Sequence, residues 1–195
     1  MEELKGKRVG FAMCGSFCTF ASCFTALERL IELGCEPVPI MSFNAYETDT
    51  RFGNAAEHAA RLERLCGKKV IHTIAEAEPL GPKDMTDIML VANCTGNTLA
   101  KLAASITDTP VTMAVKSHLR GSKPVVLNIA TNDALAGSAK NIFTLINYKN
   151  YYFVPLAQDD HIKKPFSLMS DFSLIPAALV SALGHRQLQP VVGTA

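Results

Sequence analysis

The sequence predicts a three-layer α/β fold, a Rossmann-like or flavodoxin-like parallel sheet of about six strands with helices on both faces. Three observations carry this expectation. Short apolar runs alternate with stretches whose apolar residues recur at helical spacing. Glycine and proline fall at the joins, as at Gly34, Gly67 and Pro110. The stretch from Asp87 to Ala103 joins an apolar run to a helical stripe through Asn93-Cys94-Thr95-Gly96-Asn97-Thr98, all small or polar. At 195 residues the chain fits one domain, 1–195, with 184–195 as a C-terminal tail.

Each element follows from local pattern. Residues 7–12 are the first expected strand, and 13–19 the loop after it. Phe20, Cys23, Phe24, Leu27, Leu30 and Ile31 then form a helical stripe, which Gly34 closes in the C′ position. A second strand covers 37–41, and the polar, irregular stretch 45–53 reads as a mobile loop. Asn54 and Glu57 are spaced to cap a helix that reaches Cys66, with Gly67 as its stop. A third strand is expected at 69–74, a Pro- and Gly-rich connection at 76–83, and a fourth strand at 88–92. Its helix runs over 97–106, with Leu99, Leu102, Ala103 and Ile106 on one face and Asn97 or Thr98 as N-cap. Then come a helical segment (110–119), a fifth strand (124–130), a helix (134–146) and a sixth strand (151–155). A polar connection containing Pro165 leads to a last helix over 175–183, with Pro176 near its first turn.

Composition narrows the function. Net charge is +1 and no Lys/Arg run exceeds two residues, which argues against nucleic acid as the main partner and against an electrostatic membrane anchor. No apolar run approaches the ~20 residues of a membrane span. The first residues lack the apolar core of a signal peptide, so a cytoplasmic protein is expected. The six cysteines, at 14, 18, 23, 35, 66 and 94, form neither CxxC nor zinc-type pairs. They read as reduced and mostly packed, with Cys14 and Cys94 the candidates for a reactive thiol because both lie at expected strand ends.

In either sheet order, the loops after the first and fourth expected strands flank the switch point where α/β proteins bind ligands. Those loops carry Gly15-Ser16 and Thr95-Gly96-Asn97-Thr98. A glycine allows close approach of backbone to ligand, and the N–H groups at a helix start favour an anion. The same residues also suit an ordinary capped helix start. No GxGxxG and no GxxxxGK[ST] is present, so neither a dinucleotide fingerprint nor a P-loop is expected, and a mononucleotide-type phosphate site remains. Ser42 and Asn44, after the second strand, either close the same site or form a polar turn.

The stretch Asn93-Cys94-Thr95-Gly96-Asn97-Thr98-Leu99-Ala100-Lys101 resembles the Pro-Ala-Thr-Ala-Asn-Thr-x-Ala-Lys motif of the flavoprotein family of homo-oligomeric flavin-containing cysteine decarboxylases. The Gly15-Ser16 loop and Ser42 fit that family, and Ile129-Ala130-Thr131-Asn132-Asp133-Ala134-Leu135 looks like a degenerate form of its Pro-x-Met-Asn-x-x-Met motif. The resemblance implies FMN as cofactor. It puts Gly15, Ser16 and Ser42 on the phosphate side, and Thr95, Gly96, Asn97 and Thr98 in the motif at the ribityl chain and phosphate. Asn93 and Gly96 stand where the family usually has Pro and Ala. Thr131 and Leu135 replace the two Met residues of the motif that holds a cysteine-type substrate. His58 is the candidate for the family's active-site His, and Asn132 falls on the Asn of the third motif; His161 is a further candidate base.

Over essentially the full length the chain is similar to a synthase branch of this superfamily, through Thr48–Gly53, Glu76–Pro82, Cys94–Ala103, Thr131–Leu135 and Tyr152–Asp160. That similarity implies a larger nicotinamide-type partner chain, a small dicarboxylate substrate oxidised to an aromatic ring in sporulating cells, and a trimer-based homo-oligomer. Two carboxylates call for Arg or Lys, and Arg51, Lys116 and Arg120 are the candidates; Lys101 fits a salt bridge better. The alternative readings are a flavin-dependent decarboxylase and a non-catalytic partner of the synthase.

Overall fold

A computed structural model describes residues 1–193. Five parallel strands form its centre: β1 (Arg8–Met13), β2 (Glu36–Met41), β3 (Ile88–Cys94), β4 (Val125–Thr131) and β5 (Tyr151–Phe153). Their spatial order is β2-β1-β3-β4-β5, the flavodoxin order. Alongside the last two residues of β4, two short antiparallel strands, β6 (Leu156–Ala157) and β7 (Leu168–Ser170), extend the sheet to seven strands.

The layers follow from alternation along β3. Ile88, Leu90 and Ala92 face a core shared with α1 (Phe20–Glu32), α3 (Ala55–Cys66) and α8 (Ile175–Leu183). Met89 and Val91 face the opposite core, shared with α5 (Gly96–Ala103), α6 (Pro110–Leu119) and α7 (Ala139–Ile146). All of β3 is buried. Each such Leu or Ile contributes roughly 1.5–3 kcal/mol. The exposed ion pairs Arg29–Glu32 and Lys69–Glu63 lie in the class worth about 0–1 kcal/mol, so burial sets the layers.

Local chemistry fixes the ends. Arg8 ties the start of β1 to the start of β3 through Asp87, whose carboxylate it meets at 2.5 Å, and also reaches Asp84. Two short helices, α2 (Phe43–Glu47) and α4 (Ile74–Ala77), lie in the connections after β2 and α3. The outer edge of β5 is covered: the Gln187 side chain accepts from Phe153 N–H and donates to Phe153 C=O, both at 2.7 Å. A side-chain amide there occupies the groups that a further strand would use.

Several expectations need correction. The expected strand at 69–74 is one parallel bridge, Ile71 to Ile40, because the Thr73/Glu76 capping box starts α4 at once. The expected mobile loop 45–53 instead holds the end of α2 and a tight Thr50–Gly53 bridge. The helix expected from 134 begins at Ala139, because the Asp133 carbonyl takes the N–H groups of Ala136 and Ser138 in turns. The expected tail runs along the sheet, where Val191 C=O accepts from Leu156 N–H; residues 194 and 195 lie outside the described residues.

Buried His118, on α6, accepts from the Thr86 hydroxyl at Nδ1 (2.8 Å) and donates from Nε2 to the Pro124 carbonyl (3.0 Å). Burial pushes its pKa down to about 4. An unfolded His titrates near 6.5, so the stability its neutral form contributes is complete above that pH and is lost as pH falls toward 4. Urea unfolding should show wild type losing up to roughly 3 kcal/mol more than His118→Gln across that window. Parallel pH profiles for the two proteins would contradict this account of the site.

Candidate functional site

A cavity of about 1030 Å³ opens at the carboxyl end of the sheet, beside the switch point between β1 and β3. The loops after β1, β3 and β4, the Arg51–Phe52 turn, and the segment between β6 and β7 all line it. The volume sits at the top of the range for small-molecule sites, enough for a cofactor with a second ligand beside it.

The first wall is Gly15, Ser16 and Phe17. Its shape is set by Asn93, which is wholly buried near the end of β3. The Asn93 side chain accepts from Cys14 N–H (2.6 Å) and donates to the carbonyls of Cys14 (3.0 Å) and Ser16 (3.2 Å). Thr19 pulls on the same Ser16 carbonyl through its hydroxyl (2.7 Å). A register shift between Val91 and Cys94 puts an extra residue in β3 against β4, and Asn128 donates to the Ala92 carbonyl there. Such bulges redirect neighbouring side chains. The N–H groups of Gly15, Ser16 and Phe17 have no acceptor among the described residues.

The second wall is the start of α5. Its N-cap is Thr95, which accepts from Thr98 N–H (3.2 Å), in place of the expected Asn97 or Thr98. The Gly96 and Asn97 N–H groups are therefore left free for a ligand among the described residues. Thr98 is buried behind them, its hydroxyl on Cys14 Sγ at 3.4 Å, and so joins the two loops from within.

Gly96 is required here. A Cβ on it would lie 2.5 Å from Ser138 Oγ and 3.0 Å from both Asp133 Oδ1 and Thr131 Oγ1. Those three groups form one cluster: Asp133 Oδ1 accepts from the Thr131 hydroxyl (2.6 Å) and the Ser138 hydroxyl (2.8 Å). The hydroxyls hold the carboxyl below the usual range, so it is ionised at neutral pH. Thr131, Asn132 and Asp133 thus form the third wall.

Cations supply the rest. Arg51 stacks 4.8 Å over the Phe52 ring and has no carboxylate partner among the described residues; neither has Lys140. Lys164 is paired with Asp159 at 2.8 Å. His58 stands behind the Arg51–Phe52 turn. Its ring packs edge-on against Phe20 (4.9 Å), and Nε2 lies 3.2 Å from the Phe52 carbonyl. Gly53, at φ +133°, admits that ring, since a Cβ would lie 2.4 Å from Nε2.

The structure therefore brings Gly15, Ser16, Arg51, Thr95, Gly96, Asn97 and Asn132 to one cavity. Thr98 lies behind the wall and does not line the cavity, and five further candidates stand elsewhere. His58 supports the turn and does not line the cavity. Ser42 is the N-cap of α2, its hydroxyl accepting from Ala45 N–H (3.3 Å). Lys116 lies in a separate groove on α6, and Arg120 is the C-cap of that helix, both away from the switch point. His161 is exposed in a turn and does not line the cavity. Lys101 forms a salt bridge with Asp108 at 2.6 Å, as expected. Burial pushes the Cys14 thiol up to about 11 and the Cys94 thiol well above its ordinary value, so both are packed, neutral groups.

Sequence reasoning missed Asn93 as a clamp, Asp133, and the cations Lys140 and Lys164. Asn93 and Asp133 lie inside stretches that carry the family resemblance, and that was the available signal. Lys140 and Lys164 carry no local pattern.

Among known proteins, the profile of the family described as Flavoprotein matches residues 1–164. The B subunit of dipicolinate synthase from Bacillus subtilis (strain 168) is 46% identical over 192 residues, covering 98% of this chain and 96% of that protein. The crystal structure of the dipicolinate synthase B subunit from Bacillus halodurans superposes with a TM-score of 0.89 at 39% identity, covering 98% of both chains. The FMN-dependent cysteine decarboxylase SpaF shares the fold, with a TM-score of 0.68 at 22% identity over 92% of this chain and 98% of its own. With its sheet order, its two loops at the switch point and a family match over most of its length, the chain belongs to the Flavoprotein family.

Proposed function

We propose that the chain is the flavin-binding B subunit of a dipicolinate synthase. It holds FMN in the cavity and, with the larger A subunit, takes part in oxidising a dihydropyridine or tetrahydropyridine dicarboxylate to dipicolinate during sporulation. One observation carries this reading: a single cavity joins N–H groups at Gly15, Ser16, Gly96 and Asn97 to the cations Arg51 and Lys140, and among the described residues the N–H groups have no acceptor and the cations no carboxylate partner. The first set suits a phosphate and a polyol chain. The second suits a doubly anionic substrate. The identity to the Bacillus subtilis protein over nearly the whole length supports the same assignment.

FMN, when bound, supplies a two-electron acceptor for the substrate's hydride. The chain's own groups do the rest. Arg51, held against Phe52 and backed by His58, offers a planar fork to one carboxylate. Lys140, at the start of α7, offers a point charge to the other. Asp133 keeps Oδ1 on its two hydroxyl donors, and Oδ2 has no donor among the described residues, so it can accept a hydrogen bond from a ring N–H. Asn132 is placed to orient the substrate beside it. A homo-oligomer and a mother-cell location belong to the same proposal.

Two measurements test it. In reconstituted synthase, Arg51→Ala should raise KM for the dicarboxylate roughly 10- to 100-fold, the worth of a hydrogen bond to a charged group, with kcat little changed. An unchanged KM would remove Arg51 from the site. In the absence of oxygen, adding the dihydro- or tetrahydro-dicarboxylate to the FMN-loaded protein should bleach the visible flavin band. Carbon dioxide release from a cysteine-type substrate without such bleaching would instead establish the decarboxylase reading.

A further inference from the structure

We infer that Asn93 is a positioning residue that makes the loop after β1 selective for a phosphorylated ligand; the inference rests on the flavin-site reading above. In a trans peptide the C=O of one residue and the N–H of the next point in opposite directions. The Asn93 amide draws the Cys14 and Ser16 carbonyls inward, at 3.0 and 3.2 Å. The N–H groups of Gly15 and Phe17 consequently point away from the core, and both residues line the cavity. At the same time the Asn93 side-chain oxygen takes up Cys14 N–H at 2.6 Å, so no buried donor is left unpaired.

The arrangement needs both halves of an amide. A carboxylate at this position would keep the bond from Cys14 N–H but would face two carbonyl oxygens with no proton to offer. An apolar residue would leave the Cys14 N–H unpaired in the interior and release the Cys14 carbonyl, whereas the Ser16 carbonyl would keep the Thr19 N–H (3.0 Å) and hydroxyl (2.7 Å). The released Cys14–Gly15 peptide could then turn its oxygen toward the cavity, where a phosphate would meet like partial charge. Thr19 reinforces the arrangement, since its hydroxyl donates to the Ser16 carbonyl and it lies 3.4 Å from Asn93 Nδ2.

The effect therefore falls on the phosphate and spares the flavin ring. FMN and riboflavin affinities should be measured by flavin fluorescence quenching on wild type, Asn93→Ala, Asn93→Asp and Thr19→Val. Asn93→Ala should weaken FMN roughly 10- to 100-fold and riboflavin less than about two-fold, the worth of hydrogen bonds to a charged group. Asn93→Asp should lose at least as much, and Thr19→Val should lose less in the same direction, which keeps a test in hand if the Asn93 variants fold poorly. Equal losses for FMN and riboflavin, or none for FMN, would overturn the inference and leave the flavin reading standing.

If wild type binds no FMN, the flavin reading fails and inorganic phosphate decides the loop. A Gly15 amide resonance that shifts with phosphate in wild type, less in Thr19→Val and not in Asn93→Ala, would uphold the positioning role. An amide unmoved by phosphate in wild type, or moved equally in Asn93→Ala, would end it.

Discussion

Where β1 and β3 part at the carboxyl end of the sheet, the backbone loses its ladder partners inside the protein, and something must take their place. The buried Asn93 amide does so, at distances of 2.6 to 3.2 Å from the Cys14 and Ser16 backbone. An unpaired interior amide costs about 1–3 kcal/mol, so this satisfaction is a folding requirement as well as a shape for the loop. Thr98 completes the junction by reaching Cys14 from the start of α5. The two ligand-facing loops are thus fastened to each other from behind, and their outward N–H groups are left for a ligand.

The other walls depend on the same economy of space. Gly96 lets the Thr131–Asp133–Ser138 cluster close to van der Waals range of the α5 start, which brings the loop after β4 against the loop after β3. Gly53 lets the His58 ring come beneath the Arg51–Phe52 turn. Each close approach joins an element of one layer to a loop above the sheet edge. The cavity is consequently defined by side chains held on rigid supports, as orientation of a cofactor and a substrate requires.

Much of this was legible in the sequence, for identifiable reasons. β1, β3 and β4 are long apolar runs, and α1, α5 and α8 carry unbroken stripes, so pattern alone located them. Pattern failed where short-range chemistry prevailed. Val70 and Ile71 look like strand residues, but the capping box two residues later turned the chain into a helix. β6 and β7, with two and three residues, are too short to show a period. The site divided in the same way. Gly15, Ser16, Thr95 and Asn97 follow strand ends and could be read from topology. Lys116 and Arg120 were chosen for their charge and His58 for its place in the family resemblance, and a helical residue's direction is set by tertiary packing. Asn93 looked like a loop residue, and only the bulge in β3 turned it into a buried clamp.

The central claim is that this cavity is a flavin site, and the visible absorption spectrum of the purified protein, before and after addition of FMN, tests it most directly. The account predicts a bound-flavin spectrum that is lost in Asn97→Ala and in Ser16→Ala, since both residues line the cavity beside N–H groups that have no acceptor among the described residues. A wild-type protein that folds normally and takes up no FMN would contradict the account, and would leave the chain as a structural partner within the synthase.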